Sequence, residues 1–130
     1  MPPTNRTELL LSLLDTSGMG LEIGPGFNPL LPKSQGHAVE TLDHASQEEL
    51  VRKYAGASGV DTSRIEPVDY VSSGASVYAA IGKPSRYDFI VASHVIEHTT
   101  DLLGFLQDCE KLLKPHWRAG ARGARQAFFL

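Results

Sequence analysis

The chain has 130 residues, of which 12 are basic and 15 acidic, for a formal net charge of −3. That length fits one domain, and the acidic balance excludes a phosphate-tracking basic groove as the default reading. Hydrophobic residues make up 42% and charged residues 21%, the balance of a soluble globular protein and not of a disordered one.

Residues 4–15 read as a helix, with Leu9, Leu10, Leu13 and Leu14 at 3.6-residue spacing. Leu21-Glu22-Ile23 reads as a short strand that runs into Gly24-Pro25-Gly26, and Pro32 keeps the next segment from forming a long helix. Residues 38–43 read as a second strand. A short helix follows to about Tyr54, opened by Ser46 and Glu49 at capping-box spacing. Residues 65–69 read as a third strand, weakened by Pro67. Residues 77–81 read as a helical turn, and residues 87–93 form the clearest strand of the chain. A helix from about Asp101 to Leu113 sets Leu102, Leu103, Leu106, Cys109, Leu112 and Leu113 on one broad face until Pro115 stops it. Cys109, the only cysteine, permits no internal disulfide and reads as a buried thiol. No stretch approaches the ~20 apolar residues of a membrane span and no signal peptide is evident, so a cytoplasmic protein is expected. Helices alternating with short apolar strands imply an α/β fold with a parallel sheet.

In such sheets ligands bind at the carboxyl ends of the strands. The glycines of Gly24-Pro25-Gly26 fall at one such end, where the backbone turns tightly and approaches a ligand without a Cβ in the way. Asp43 ends the next strand, 19 positions after Gly24, where a carboxylate can accept hydrogen bonds from both ribose hydroxyls of a nucleoside. Asp69 ends the following strand and can reach the base or amino group of the same ligand. The third glycine of the dinucleotide fingerprint is absent, because Asn28 and Pro29 stand there, so an adenosyl ligand without phosphates fits better than a pyrophosphate.

Glu22-x-Gly24-x-Gly26, the acids Asp43 and Asp69, and the strand Tyr87-Asp88-Phe89-Ile90-Val91 running into Ser93-His94-Val95-Ile96-Glu97-His98 form a more specific pattern together. The pattern resembles the class I S-adenosylmethionine-dependent methyltransferases, most nearly the small type-11-like bacterial domains, over roughly residues 18–115. The resemblance implies a Rossmann-like sheet with S-adenosylmethionine over the first two strand ends. By position it sets Glu22, Gly24 and Gly26 beside the methionine part, Asp43 on the ribose and Asp69 near the adenine. Ser93 and His94 would face the methyl group and the acceptor. Methyl transfer needs an in-line nucleophile held close, and a base only where the acceptor is a poorly ionised hydroxyl or amine. His94, with an ordinary pKa of about 6.5, is the candidate base.

Two other readings compete. His94-Val95-Ile96-Glu97-His98 also matches the inverted zinc-protease motif, a metal hydrolase reading. It starts directly after a short strand, is broken by Thr99-Thr100 and lacks an obvious third ligand, so no metal is assigned. The other alternative is a non-catalytic nucleoside-binding fragment. The acceptor is unreadable: a sugar, a small metabolite or a lipid-linked intermediate all stay open, with no nucleic-acid partner expected.

The family pattern fades after Leu112-Leu113-Lys114-Pro115. The resembling fold continues with paired glycines and an apolar strand, whereas residues 116–130 are rich in Arg, Ala and Gly, show no β alternation and contain no acid. Moving the reading frame forward by one base, with free third bases, lets the tail read Thr-Gly-Gly-Leu-Val-Leu-Ala-Val-Pro-Asp-Lys-Arg-Phe-Phe. The expectation is therefore a methyltransferase portion over residues 1–115 followed by an out-of-frame tail over 116–130. The sheet would then be incomplete on its C-terminal side, the strand at 87–93 would lack a neighbour, and transfer activity would be weak or absent.

Overall fold

The computed structural model describes residues 6–13, 16–72, 76–92, 95, 99–115 and 126–129. Strand β1 (Gly20–Ile23) is buried along its whole length, as a central parallel strand must be when both faces of a sheet are covered. It pairs in parallel with β2 (Val39–Asp43) on one side and β4 (Phe89–Ala92) on the other, with Gly20 opposite both Val39 and Phe89. Gly20 has to be small, because a Cβ there would lie 2.1 Å from the Phe89 ring. Strand β3 (Tyr70–Val71) extends the sheet beyond β2, and β5 (Gln126–Phe129) extends it beyond β4. The order β3-β2-β1-β4-β5, parallel throughout, is the expected α/β architecture.

One face of the sheet presents Leu21, Ile23, Leu42 and Ile90 to Ile81 of α3 (Val77–Ile81) and to Phe105, Cys109 and Leu112 of α4 (Leu102–Leu112). The other face presents Val39, Phe89 and Val91 to Leu31 and to Leu11 of α1 (Arg6–Leu13). Helix α2 (Gln47–Tyr54) starts where the spacing predicts: the Ser46 side chain accepts the Glu49 N–H and the Glu49 side chain accepts the Ser46 N–H. Leu50 of α2 is fully buried against Ala45 and Ile65.

The entrance to β4 is fixed by a polar knot. Glu40 accepts hydrogen bonds from Arg86 Nε and, at 2.9 Å, from the Tyr87 hydroxyl. The Arg86 hydrogen bond holds the Glu40 carboxyl below the usual glutamate range.

Four expectations need correction. The third strand is Tyr70–Val71 and not residues 65–69. Pro67 has no N–H to donate, and its carbonyl instead accepts the Thr41 hydroxyl and the Lys33 ammonium. The buried stripe of α4 is Phe105, Cys109 and Leu112, while Leu102, Leu103 and Leu106 are 45%, 67% and 39% exposed. Six residues spread over more of a helix than one sheet face can cover, and the sequence reading left out Phe105. Tyr87 stands outside β4 and bridges to Leu113 instead. Finally, β4 does have a neighbour: Phe89–Ala92 pairs with Gln126–Phe129. A parallel strand carries a continuous apolar run, so the lack of alternation in the tail did not exclude one. Among the described residues no helix is long and apolar enough to cross a membrane.

Candidate functional site

After β1 the chain passes to β2 on one side, and β4 lies on the other, so the sheet order reverses at β1. Ligands of open parallel sheets bind in the crevice at this switch point, beyond the carboxyl ends of the strands. A cavity of about 830 Å³ lies there, bounded by Ile23 at the end of β1, Gly24 just after it, Leu42 and Asp43 at the end of β2, Ser72 after β3, and Phe105 and Asp108 of α4.

The turn after β1 is built by its glycines. Gly24 and Gly26 have φ of 72° and 53°, the left-handed region that side chains with a Cβ rarely enter. The Gly24 N–H donates to the Leu42 carbonyl at 2.8 Å, carrying the β1–β2 ladder one step further. The Gly26 N–H donates to Asp43 Oδ2 at 2.8 Å. Gly24 and Asp43 both line the cavity, while Gly26 does not and donates to Asp43 instead.

Asp43 is 4% exposed and well supplied with donors. Its Oδ1 accepts the His44 backbone N–H and faces His44 Nδ1, each at 2.8 Å. His44 Nε2 lies 3.1 Å from Lys53 Nζ. A neutral His44 with its proton on Nδ1 satisfies both contacts, since the ammonium can only donate. A carboxylate offers about four acceptor sites, so three are taken and one remains.

Glu22 does not line the cavity. It is fully buried in β1, and its two oxygens accept the Leu30 N–H at 2.8 Å and the Leu31 N–H at 3.1 Å. Burial pushes its pKa above the usual glutamate value, against the pull of those two N–H groups.

Asp69 is displaced from the strand end where the sequence reading set it. It precedes β3, beside Thr41, and its Oδ2 accepts the Thr41 N–H at 2.8 Å and pairs with Lys33 Nζ at 2.7 Å. Ser72 occupies the end of β3, with its N–H on the Asp43 carbonyl at 2.9 Å, and lines the cavity. Ser93 and His94 lie outside the described residues, as do Glu97 and His98 of the zinc-type motif.

The sequence reading also missed His44, Lys53, Tyr54 and Asp108 on the cavity wall. Adjacency to Asp43 pointed to His44. Lys53 and Tyr54 come from the last turn of α2, and only the packing of Tyr54 edge-on to Phe27, with centroids 4.9 Å apart, shows them to be near.

The site combines a carboxylate with an acceptor position to spare, backbone without a Cβ at Gly24, and a roomy, partly apolar recess. This set suits a nucleoside with a small appended group.

The profile of a family described as "Methyltransferase domain" matches residues 3–118. Among curated proteins none matches the chain significantly. Solved structures with a similar fold include a protein described as a methyltransferase from Bacillus halodurans, at 15% identity and TM-score 0.54 over 84% of this chain. They also include a SAM dependent methyltransferase from Aquifex aeolicus, at 19% identity and TM-score 0.51 over 85% of this chain. A glycopeptide N-methyltransferase gives 19% identity and TM-score 0.51 over 83% of this chain. The chain spans 46%, 59% and 47% of the lengths of these three proteins. With a family match over nearly all of its length and the Rossmann-like fold of the solved methyltransferases, the chain belongs to the methyltransferase domain family.

Proposed function

We propose that the chain is an S-adenosylmethionine-dependent methyltransferase domain, with the cofactor in the cavity beyond the ends of β1 and β2. The observation that carries this reading is the pairing of Gly24 and Asp43 on one wall of that cavity. S-adenosylmethionine, when bound, supplies an electrophilic methyl group on a sulfonium. The chain's own work is then positioning and exclusion of water. Asp43 accepts the ribose hydroxyls, releasing the half-exposed His44 ring from Oδ1 to receive the second one. The bare backbone at Gly24 gives room for the methionine part, and Gly26 holds the Asp43 carboxylate in place. Ser72 takes the adenine-side place that the resemblance gave to Asp69, whose carboxylate is held by Lys33 and Thr41. Ser93 and His94, next in sequence after β4, take the acceptor-side roles that the resemblance implies, with His94 removing a proton from a hydroxyl or amine acceptor. The acceptor is a small molecule or a glycan-type compound, and the domain works in the cytoplasm.

The proposal extends to residues 116–130 as a tail read out of frame. Its support is the family match ending at residue 118 and the Arg118, Arg122 and Arg125 run without a single acid after Glu110; the pairing of Gln126–Phe129 with β4 weighs against it. A family-like continuation in the shifted frame of the coding DNA is expected; its absence would sink this part.

Calorimetric titration with S-adenosylmethionine, followed by a labelled-methyl assay against sugar and amine acceptors, tests the main reading. Binding with transfer supports the enzyme. Binding without transfer leaves a nucleoside-binding fragment, and no binding removes both.

A further inference from the structure

We infer that Glu22 is a positioning residue for the nucleoside site, acting through the backbone of the loop from Gly24 to Leu31 and not by touching the ligand. The inference rests on the cofactor reading above and replaces the direct methionine-side role that the resemblance assigned to this acid.

Three observations lead here. First, Glu22 has no path to the ligand: it is fully buried in the central strand, and the cavity wall is formed by its neighbours Ile23 and Gly24 instead. Second, both of its oxygens are committed, one to the Leu30 N–H and one to the Leu31 N–H. Two successive N–H groups can converge on one carboxylate only if the loop is folded to aim them together. A buried carboxylate is tolerated only when such donors compensate its lost hydration. Third, the same loop is pinned at its other end by the Gly24 N–H on Leu42 and the Gly26 N–H on Asp43. The loop is therefore a short strap held by β1 at one end and β2 at the other. Slack at Leu30 and Leu31 reaches Gly26, and Gly26 orients the Asp43 oxygen that faces the ribose. Leu31, almost fully buried against Val39, Phe89 and Val91, anchors the strap to the core but cannot set the direction of its N–H groups.

Truncating the ligand separates action through the loop from direct contact. S-adenosylhomocysteine carries the amino-acid part and methylthioadenosine lacks it. Calorimetry on the wild-type chain and on Glu22→Gln should show both ligands weakened about tenfold by the substitution, the size of one lost charge-assisted hydrogen bond. Weakening of S-adenosylhomocysteine alone would mean that Glu22 touches the amino-acid part, and would overturn the inference. Unchanged affinities in a folded but less heat-stable Glu22→Gln would reduce Glu22 to a scaffold group, and would overturn it as well. If the wild type binds neither ligand, the cofactor reading itself fails, which is a different outcome from either. Should Glu22→Gln not fold, amide hydrogen exchange on the wild type decides. Methylthioadenosine should slow exchange at the Leu30 and Leu31 amides, and binding without that slowing contradicts the inference.

Discussion

The Asp43 carboxylate accepts the Gly26 N–H at 2.8 Å, so the acid that ends β2 also fixes the turn that follows β1. Two sequence signals 17 residues apart are therefore one device. The turn cannot relax without moving the carboxylate, and the carboxylate cannot turn away without freeing the turn. His44 closes the arrangement from the other side, with its ring on Asp43 Oδ1 and on Lys53.

That ring competes with a ligand for Asp43. His44→Ala removes the competitor while leaving the Gly26 contact in place. Affinity for S-adenosylhomocysteine should rise by about threefold to tenfold, within the net worth of a hydrogen bond to a charged group. Calorimetry measures this directly, and an unchanged or weaker affinity contradicts the competition.

The two faces of α4 should differ sharply in mutational cost. Leu112 is fully buried among sheet and helix residues, and Leu112→Ala should destabilise the chain by about 2–5 kcal/mol. Leu103 is 67% exposed, and Leu103→Ala should change stability by less than about 0.5 kcal/mol. Urea unfolding of both variants checks the contrast; equal costs would mean that the buried stripe is misplaced.

Two glutamates should give the stability profile opposite slopes in acid. Glu40 is held below the usual range by Arg86, so the unfolded chain binds its proton first as pH falls. Its contribution is present above the ordinary glutamate value and is lost as pH falls through the lowered folded value. Glu22 is raised by burial, so the folded chain holds its proton longer, and stability drops as pH rises from the ordinary value through the raised one. Thermal unfolding across the acid range should show Glu40→Gln losing the first slope and Glu22→Gln losing the second. Slopes that survive these substitutions would assign them to other groups.

Cys109 is 2% exposed, and burial pushes its thiol up to about 12. Ellman's reagent at mildly alkaline pH should react only as fast as the chain opens, and at once in denaturant, because the thiolate is the reactive form. Rapid reaction of the native chain would contradict this burial.

The parts of the fold legible in the sequence are those that local chemistry dictates. The Ser46–Glu49 capping box, the short strand at Leu21-Glu22-Ile23 and the glycine turn each follow from neighbouring residues, and all three form as read. What was not legible depends on distant partners. Pro67 weakened a strand on paper, but only the Lys33 and Thr41 contacts show why pairing starts at Tyr70 instead. Asp69 carries a suitable carboxylate, yet Lys33, 36 positions earlier, captures it. Glu22 reads as a ligand-side acid by motif, whereas the N–H groups of Leu30 and Leu31 claim it. The helical period of α4 named a face, but the sheet beneath chose its narrower half and added Phe105.

The claim on which the rest depends is that Asp43 and Gly24 hold the nucleoside of S-adenosylmethionine. Calorimetric titration of the wild-type chain beside Asp43→Ala, each checked for folding by circular dichroism, tests it most directly. The prediction is saturable one-to-one binding by the wild type and a loss of at least about tenfold in affinity for folded Asp43→Ala. Equal affinities for the two, or a folded wild type that binds nothing, would contradict it.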